Sequence, residues 1–387
     1  MTEQPRGEPP EVLEPDRIVL EEGVDTAPPK LWGRSTWLSL AFTVALLGVM
    51  ATLVDFGDVW EKLTAAHWGY ILLGGLAHYA AYPVRGERWR RSLAHTGVTR
   101  AGRHFGLLVF FYNFVDNLVP AKLGDLYGAH LARINLGIRR STALGSLAFV
   151  RMIDAWVVLG LAGISSYLLF AEALPSWVLG GLTFGAALAV VATGIIATSF
   201  LLGRGGAGLP AWLERRLPES ITARVASFRT GILPGRAQLL PVAALTAVIW
   251  SLEFAWIGGL AAGFDIELTA VELVFLTMIP LLASTVPATP SGAGVVEASL
   301  FYCLRAVHVG SPAAAAFTVL NRLIDFWLHI ALGVVTWALR DRLHLRTWRE
   351  PPEQSAALAA LALEPARARR GVAEERSRGS RRPPVAR

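Results

Sequence analysis

The sequence predicts an all-α polytopic membrane protein, with about six full spans plus two oppositely oriented re-entrant helical hairpins in an inverted repeat. Three observations carry that expectation. The 387 residues are 53% hydrophobic and only 17% charged, outside the usual composition of soluble globular chains. The phrase Arg151-Met152-Ile153-Asp154-Ala155-Trp156 recurs as Arg322-Leu323-Ile324-Asp325-Phe326-Trp327, each time inside a long apolar run. Basic and acidic connections alternate along the chain, as they do when loops fall on opposite sides of a bilayer.

Residues 1–34 are polar, acidic and proline-bearing and predict a disordered cytoplasmic tail. An apolar run follows directly, as an anchor rather than a cleavable signal. Runs long enough to cross about 30 Å of hydrocarbon fall at roughly 35–54, 67–84, 141–170, 176–203, 237–263 and 312–339. Arginines cluster at 85–103, at 133–140 and at 204–236, which places those connections in the cytoplasm. The alternate connections carry Asp55, Asp58 and Glu61, then Glu172, then Asp265, Glu267 and Glu272, and suit the outside. Both termini then fall in the cytoplasm, and the membrane is expected to be the cell (inner) membrane. Residues 341–387 form an Ala-, Arg- and Pro-rich tail, so the expected division is 1–34, a transmembrane domain 35–340 with repeats at 35–170 and 176–340, and 341–387.

Two segments do not fit as full spans. His104 to Pro120 is apolar yet flanked by basic cytoplasmic residues on both sides, which predicts a hairpin that enters and turns back near Val119 to Gly124. Thr269 to Val286 is followed by Pro287, Pro290, Gly292 and Gly294, too many breakers for one continuous helix. This second hairpin enters from the opposite face. Pro-x-x-x-Gly followed by an acid precedes each Arg-x-x-Asp: Pro120 with Gly124 and Asp125, and Pro290 with Gly294 and Glu297. Two matched motifs at one offset of roughly 170 residues point to an internal duplication.

The duplicated charges are the candidate chemistry. Arg and Asp three residues apart share a helix face, so each copy is expected to neutralise itself at bilayer depth. Arg151 and Arg322 either hold a phosphate or carboxylate through a bidentate fork, with Asp154 and Asp325 orienting them, or form ion pairs that lock the repeats together. The half-helix starts after Gly124, Gly292 and Gly294 favour an anion through free N–H groups and the positive dipole end. Asp125 and Glu297 equally suit capping those same ends. Glu253 is a buried acid that either carries a proton or meets a cationic headgroup, or is held protonated against a neighbouring helix. Asn113, Asp116 and Asn117 either line a headgroup path or satisfy broken backbone. Arg85 and Arg88 read mainly as an anchoring belt at the cytoplasmic interface, with contact to substrate by Arg85 or Arg88 as the alternative.

Several classes are excluded. Single, scattered His67, His78, His104, His130 and His329 form no ligand spacing, so no metal and no cofactor is expected. Cys303 is alone and reads as a packing residue. The Arg-rich tail has no stacking platform, so contact with anionic lipid headgroups is expected there and nucleic acid is not. No nucleophile elbow, phosphate loop or dinucleotide fingerprint appears in a strand–turn–helix setting, so the expectation is a transporter-like protein rather than a soluble-type enzyme.

The ordered set Asn117-Leu118-Val119-Pro120-Ala121-Lys122-Leu123-Gly124-Asp125, Arg151-x-x-Asp154, Pro290-Ser291-Gly292-Ala293-Gly294-x-x-Glu297 and Arg322-x-x-Asp325 resembles the lysylphosphatidylglycerol synthase transmembrane family, also described as flippase-like. The resemblance covers roughly residues 35–340, and it differs where Ala121, Asp125 and Ser291 stand for a usual Gly, Glu and Gly. It implies a protein that moves a polar lipid with an anionic headgroup between leaflets. Family members fused to a cytoplasmic domain aminoacylate phosphatidylglycerol; the short segment after Arg340 leads us to expect the membrane part without that activity. The rival expectations are a polyprenyl-phosphate-dependent glycosyltransferase and a small-solute or ion transporter.

Overall fold

The computed structural model describes residues 56–98, 102–118, 124–170, 175–201, 219–232, 234–284, 292 and 294–347. The first apolar run, Pro120 and Ala121, Pro287, Pro290 and Ser291, the N-terminal tail and the C-terminal tail from 348 onward lie outside them. Every regular element among the described residues is helical. In chain order they are α1 (Phe56–Ala65), α2 (Trp68–Ser92), α3 (Gly102–Leu118), α4 (Gly124–Leu136), α5 (Arg140–Phe170), α6 (Ser176–Leu201), α7 (Glu219–Ile232), α8 (Arg236–Gly263), α9 (Ala270–Ala283), α10 (Val295–Ala306), α11 (Ser311–Arg322) and α12 (His329–Ala338). A π-helical segment, Leu323–Leu328, joins α11 to α12 without a break.

Local chemistry explains the boundaries. At the start of α9 the Thr269 hydroxyl accepts from the Glu272 amide at 3.3 Å while Glu272 Oε2 accepts from the Thr269 amide at 2.8 Å, a reciprocal cap. Pro312 occupies the first turn of α11, where its missing N–H costs nothing. Before α10, Gly292 and Gly294 take φ values of +65° and +86°, where a Cβ would be strained.

Four helical stretches among the described residues are long and apolar enough to cross a membrane: Arg140–Phe170, Ser176–Thr198, Arg236–Gly263 and Ser311–Ala338. Their outward faces, and that of α2, carry large apolar groups; Leu76 is 69% and Leu240 80% exposed. In water such a surface would aggregate, whereas lipid solvates it. The helix α2 is less apolar than those four, because Arg85, Arg88, Arg90 and Arg91 occupy its second half.

Two large buried apolar cores and a small one, around Phe149, Val150, Ile232 and Val242, lie among the described residues. One large core gathers Trp89, Phe105 and Phe111 from α2 and α3, and the other Trp256, Phe275 and Phe317 from α8, α9 and α11. Long, short, short and long helices follow one another in α2–α5 and again from α8 to α12. The first helix of each set packs on the other along its whole length. Gly263 accepts from the His67 amide, Gly74 sits against Gly259, and His78 meets Glu253, so sequence position falls on one helix as it rises on its partner. The two helices are therefore antiparallel. A Cβ on Gly259 would lie 2.8 Å from the Gly74 backbone, and close approach through small residues is how helices associate where lipid removes the hydrophobic drive. A second such crossing sets Gly145 of α5 against the Phe228 carbonyl of α7 and Gly231 of α7 against that of Thr142.

Candidate functional site: a charged cavity between the helices

The expected self-neutralising Arg-x-x-Asp pairs are not how the charges are arranged. Each arginine turns to an acid outside its own motif. Arg151 meets Asp125 at 3.0 Å, and Arg322 meets Glu297 at 2.7 Å. In both cases an acid in the first turn of a short helix, α4 or α10, holds the arginine about eleven residues into the following helix, roughly 16 Å along it. The motifs upstream and downstream are thus two halves of one contact, made twice.

The motif aspartates reach other helices. Arg88 donates to both oxygens of Asp154, at 2.6 and 2.7 Å, and to Thr246 Oγ1 at 3.1 Å. Its side chain is 3% exposed, so this is an interior ion pair rather than the interfacial belt read from sequence. Asp325 Oδ1 lies 3.3 Å from Nε2 of His78, whose Nδ1 is 3.0 Å from Glu253 Oε2. Glu253 also accepts from Arg85 Nη2 at 2.6 Å. Both Glu253 carboxylate oxygens are thus engaged, one by His78 and the other by Arg85.

Geometry resolves part of the capping question. Glu297 Oε2 accepts from the Gly294 amide at 2.7 Å while Oε1 faces Arg322, so one carboxylate caps α10 and holds the arginine together. The amide of Gly124, at the start of α4, donates instead to Asp116 Oδ1 at 2.8 Å. Asp116 therefore satisfies broken backbone. Asn113 donates to the Val109 carbonyl at 2.8 Å, and Asn113, Asp116 and Asn117 all line the cavity described next. Gly292 and Gly294 shape the turn into α10 and do not line that cavity.

A cavity of about 800 Å³ collects most of these groups. Arg85, Arg88, Arg151 and Arg322 line it with Asp125, Asp154, Glu253 and Asp325, while Glu297 sits just behind Arg322. The opposite wall is apolar, built from α6 and α9 with the aromatic face of Trp156. Trp156, Leu188 and Leu281 line the cavity and are 44, 43 and 40% exposed.

The two duplicated arginines differ in availability. Arg151 is about half exposed, at 47%. Arg322 is 7% exposed, lies 3.9 Å over the Phe326 ring, and its Nη2 has no hydrogen-bond partner among the described residues. A buried, unmatched guanidinium nitrogen costs about 1–3 kcal/mol until an acceptor arrives. No cluster of three or more metal-ligating side chains occurs among the described residues.

Sequence reasoning missed Arg85, Arg88 and His78 as members of this network. The signal was present: residues 78, 82, 85 and 89 lie on one face of α2, and a face bearing His, Tyr, Arg and Trp beside buried acids is a poor lipid surface.

Comparison with known proteins places this arrangement. The family described as lysylphosphatidylglycerol synthase TM region matches residues 36–333. A UPF0104 membrane protein of Methanocaldococcus jannaschii is 26% identical over 230 residues, 59% of this chain and 95% of the relative. The glycosyltransferase AglD of Haloferax volcanii is 27% identical over 346 residues, 80% of this chain but 55% of the relative. A UPF0104 membrane protein of Methanothermobacter thermautotrophicus is 23% identical over 315 residues, 75% of this chain and 91% of the relative. The match takes in α1 to α11 and both Arg-x-x-Asp motifs, so this membrane protein belongs to the lysylphosphatidylglycerol synthase TM region family.

Proposed function

We propose that this protein moves a polar lipid with an anionic, phosphate-bearing headgroup between the leaflets of the cell membrane. The observation that carries the reading is the pairing, in one cavity, of an unmatched Arg322 donor with an apolar lining from α6 and α9. A headgroup phosphate would accept from Arg322 Nη2 and approach Arg151, while the acyl chains stay against α6 and α9. Moving a charge through such a path avoids the cost of baring it to hydrocarbon, tens of kcal/mol by idealised Born solvation.

The accompanying topology is six full spans and two re-entrant hairpins, α3 with α4 and α9 with α10, entering from opposite faces. At 17, 13, 14 and 12 residues these helices reach only about 18 to 26 Å, short of a crossing. The antiparallel packing of α2 on α8 supports an inverted relation between repeats 35–170 and 176–340. Both tails, 1–34 and 341–387, would be cytoplasmic, with the basic connections against anionic lipid.

Membrane glycosyl transfer is the second reading, favoured by the name of the Haloferax volcanii relative. Native mass spectrometry of the purified protein separates the two. Translocation predicts a co-purifying phospholipid or aminoacylated lipid that is lost in Arg322→Gln, whereas a tightly held polyprenyl sugar, turned over on addition of an acceptor, would replace translocation by transfer.

A further inference from the structure

We propose that His78, held between Glu253 and Asp325, is a proton site that couples lipid movement to a transmembrane proton gradient. The inference rests on the translocation reading and adds its energy source. A neutral imidazole carries one N–H, so it can donate to one partner only. Here both ring nitrogens lie near carboxylates: Nδ1 is hydrogen-bonded to Glu253 at 3.0 Å, while Nε2 is buried, without a hydrogen-bond partner among the described residues, 3.3 Å from Asp325 Oδ1. With one proton on the ring, a lone pair would oppose a carboxylate oxygen. The geometry is attractive on both sides only when an extra proton resides on the His78–Asp325 edge. Glu253 is not its seat, because its other oxygen accepts from Arg85.

The neighbours on every packed element agree. From α2 the ring meets Tyr79 and Tyr82 edge-on, with Arg85 further along; from α8 it meets Trp256 and Glu253; from the π segment Asp325. His329 of α12 is engaged elsewhere, through the Tyr82 hydroxyl at 2.9 Å. Without the extra proton the trio Arg85, Glu253 and Asp325 has one uncompensated negative charge facing the cavity. With it the trio is neutral.

Access and coupling follow from position. His78 is 4% exposed, but the Asp325 side chain is 42% exposed on the cavity side, so a proton from cavity water passes through Asp325 Oδ1 to His78 Nε2 and returns the same way. Asp325 sits in the π segment, whose wider turn leaves the Ile324 carbonyl to accept from Tyr79 at 2.8 Å. Such turns are pliable and recur at functional sites. Arg322 immediately precedes it. Loss of the proton repels Asp325 from His78 and leaves a negative charge one helical turn from the arginine that receives the phosphate. Proton and anionic headgroup therefore favour each other's binding, and by linkage each raises the other's affinity by the same factor.

Two measurements test this. Solid-state NMR of protein labelled with nitrogen-15 histidine, in lipid nanodiscs near neutral pH, should show an imidazolium with both nitrogens protonated that disappears in His78→Gln; a neutral tautomer at His78 overturns the proposal. In proteoliposomes carrying fluorescent phosphatidylglycerol, a gradient of about one pH unit should drive up to about a tenfold leaflet asymmetry for one proton per lipid. His78→Gln should lose the asymmetry at whatever rate it exchanges lipid, and an asymmetry that persists in that variant overturns the proposal. Exchange in the wild type that ignores the gradient overturns the coupling and leaves translocation standing. An imidazolium without any exchange removes translocation, and reduces His78 to a structural bridge.

Discussion

Replacing Arg88 by Met should be among the most damaging single substitutions in the protein. The side chain is 3% exposed and makes two short bonds to Asp154, itself 21% exposed, and a third to Thr246. Met keeps much of the volume but leaves Asp154 as an unpaired charge beside α8. Breaking one partner of a buried pair costs about 3–5 kcal/mol, mostly as the penalty on the charge left behind. Replacing both, Arg88→Met with Asp154→Leu, removes that penalty and should recover most of the loss. The assay is equilibrium unfolding in mixed micelles, followed by tryptophan fluorescence, for wild type, both single variants and the double. A coupling of about 2 kcal/mol or more across the cycle is expected. A single-variant loss below about 1 kcal/mol, the range of exposed pairs, would refute the buried, charge-matched geometry.

Other substitutions probe separate parts. Exchanging the charges across an observed contact, Arg151→Asp with Asp125→Arg, should preserve folding but abolish lipid movement; full transport by that variant would mean the pair is only a lock. The exchange within the motif, Arg151→Asp with Asp154→Arg, sets Asp against Asp125 and Arg against Arg88, so lower thermal stability than the cross-contact exchange is expected. Gly294→Ala must hold φ near +86° and should lower stability by about 1–2 kcal/mol, seen as a shifted unfolding midpoint. Cysteine accessibility scanning in a background lacking Cys303 should place positions 100 and 139 on the cytoplasmic side and 268 and 310 outside; ends of one hairpin on opposite faces would remove the re-entrant plan.

Much of the helical layout was legible because apolar length and breakers are local properties. Runs at 141–170, 237–263 and 312–339 correspond within a residue to α5, α8 and the α11–α12 stretch. The duplication was legible too, since Asp125 and Arg151, and Glu297 and Arg322, recur at nearly the same separation. The identity of each ion-pair partner was not. Helical periodicity tells which residues share a face, but it says nothing of which helix that face meets, so it paired Arg151 with Asp154 where the structure pairs it with Asp125. Arg88 and Asp154 are 66 residues apart and find each other only because α2 lies between α5 and α8. The π segment was also invisible, because the second motif differs from its straight α-helical copy only in Leu323 and Phe326 and in what packs around it.

The central claim is that a headgroup crosses through the cavity by way of Arg322. Proteoliposomes carrying fluorescent phosphatidylglycerol in both leaflets, treated with an impermeant quencher, test it directly. Wild-type protein should expose nearly all of the fluorophore, while Arg322→Gln of equal stability and reconstitution should leave the inner leaflet protected. A protected inner leaflet with the wild type, or full quenching with Arg322→Gln, would contradict the account.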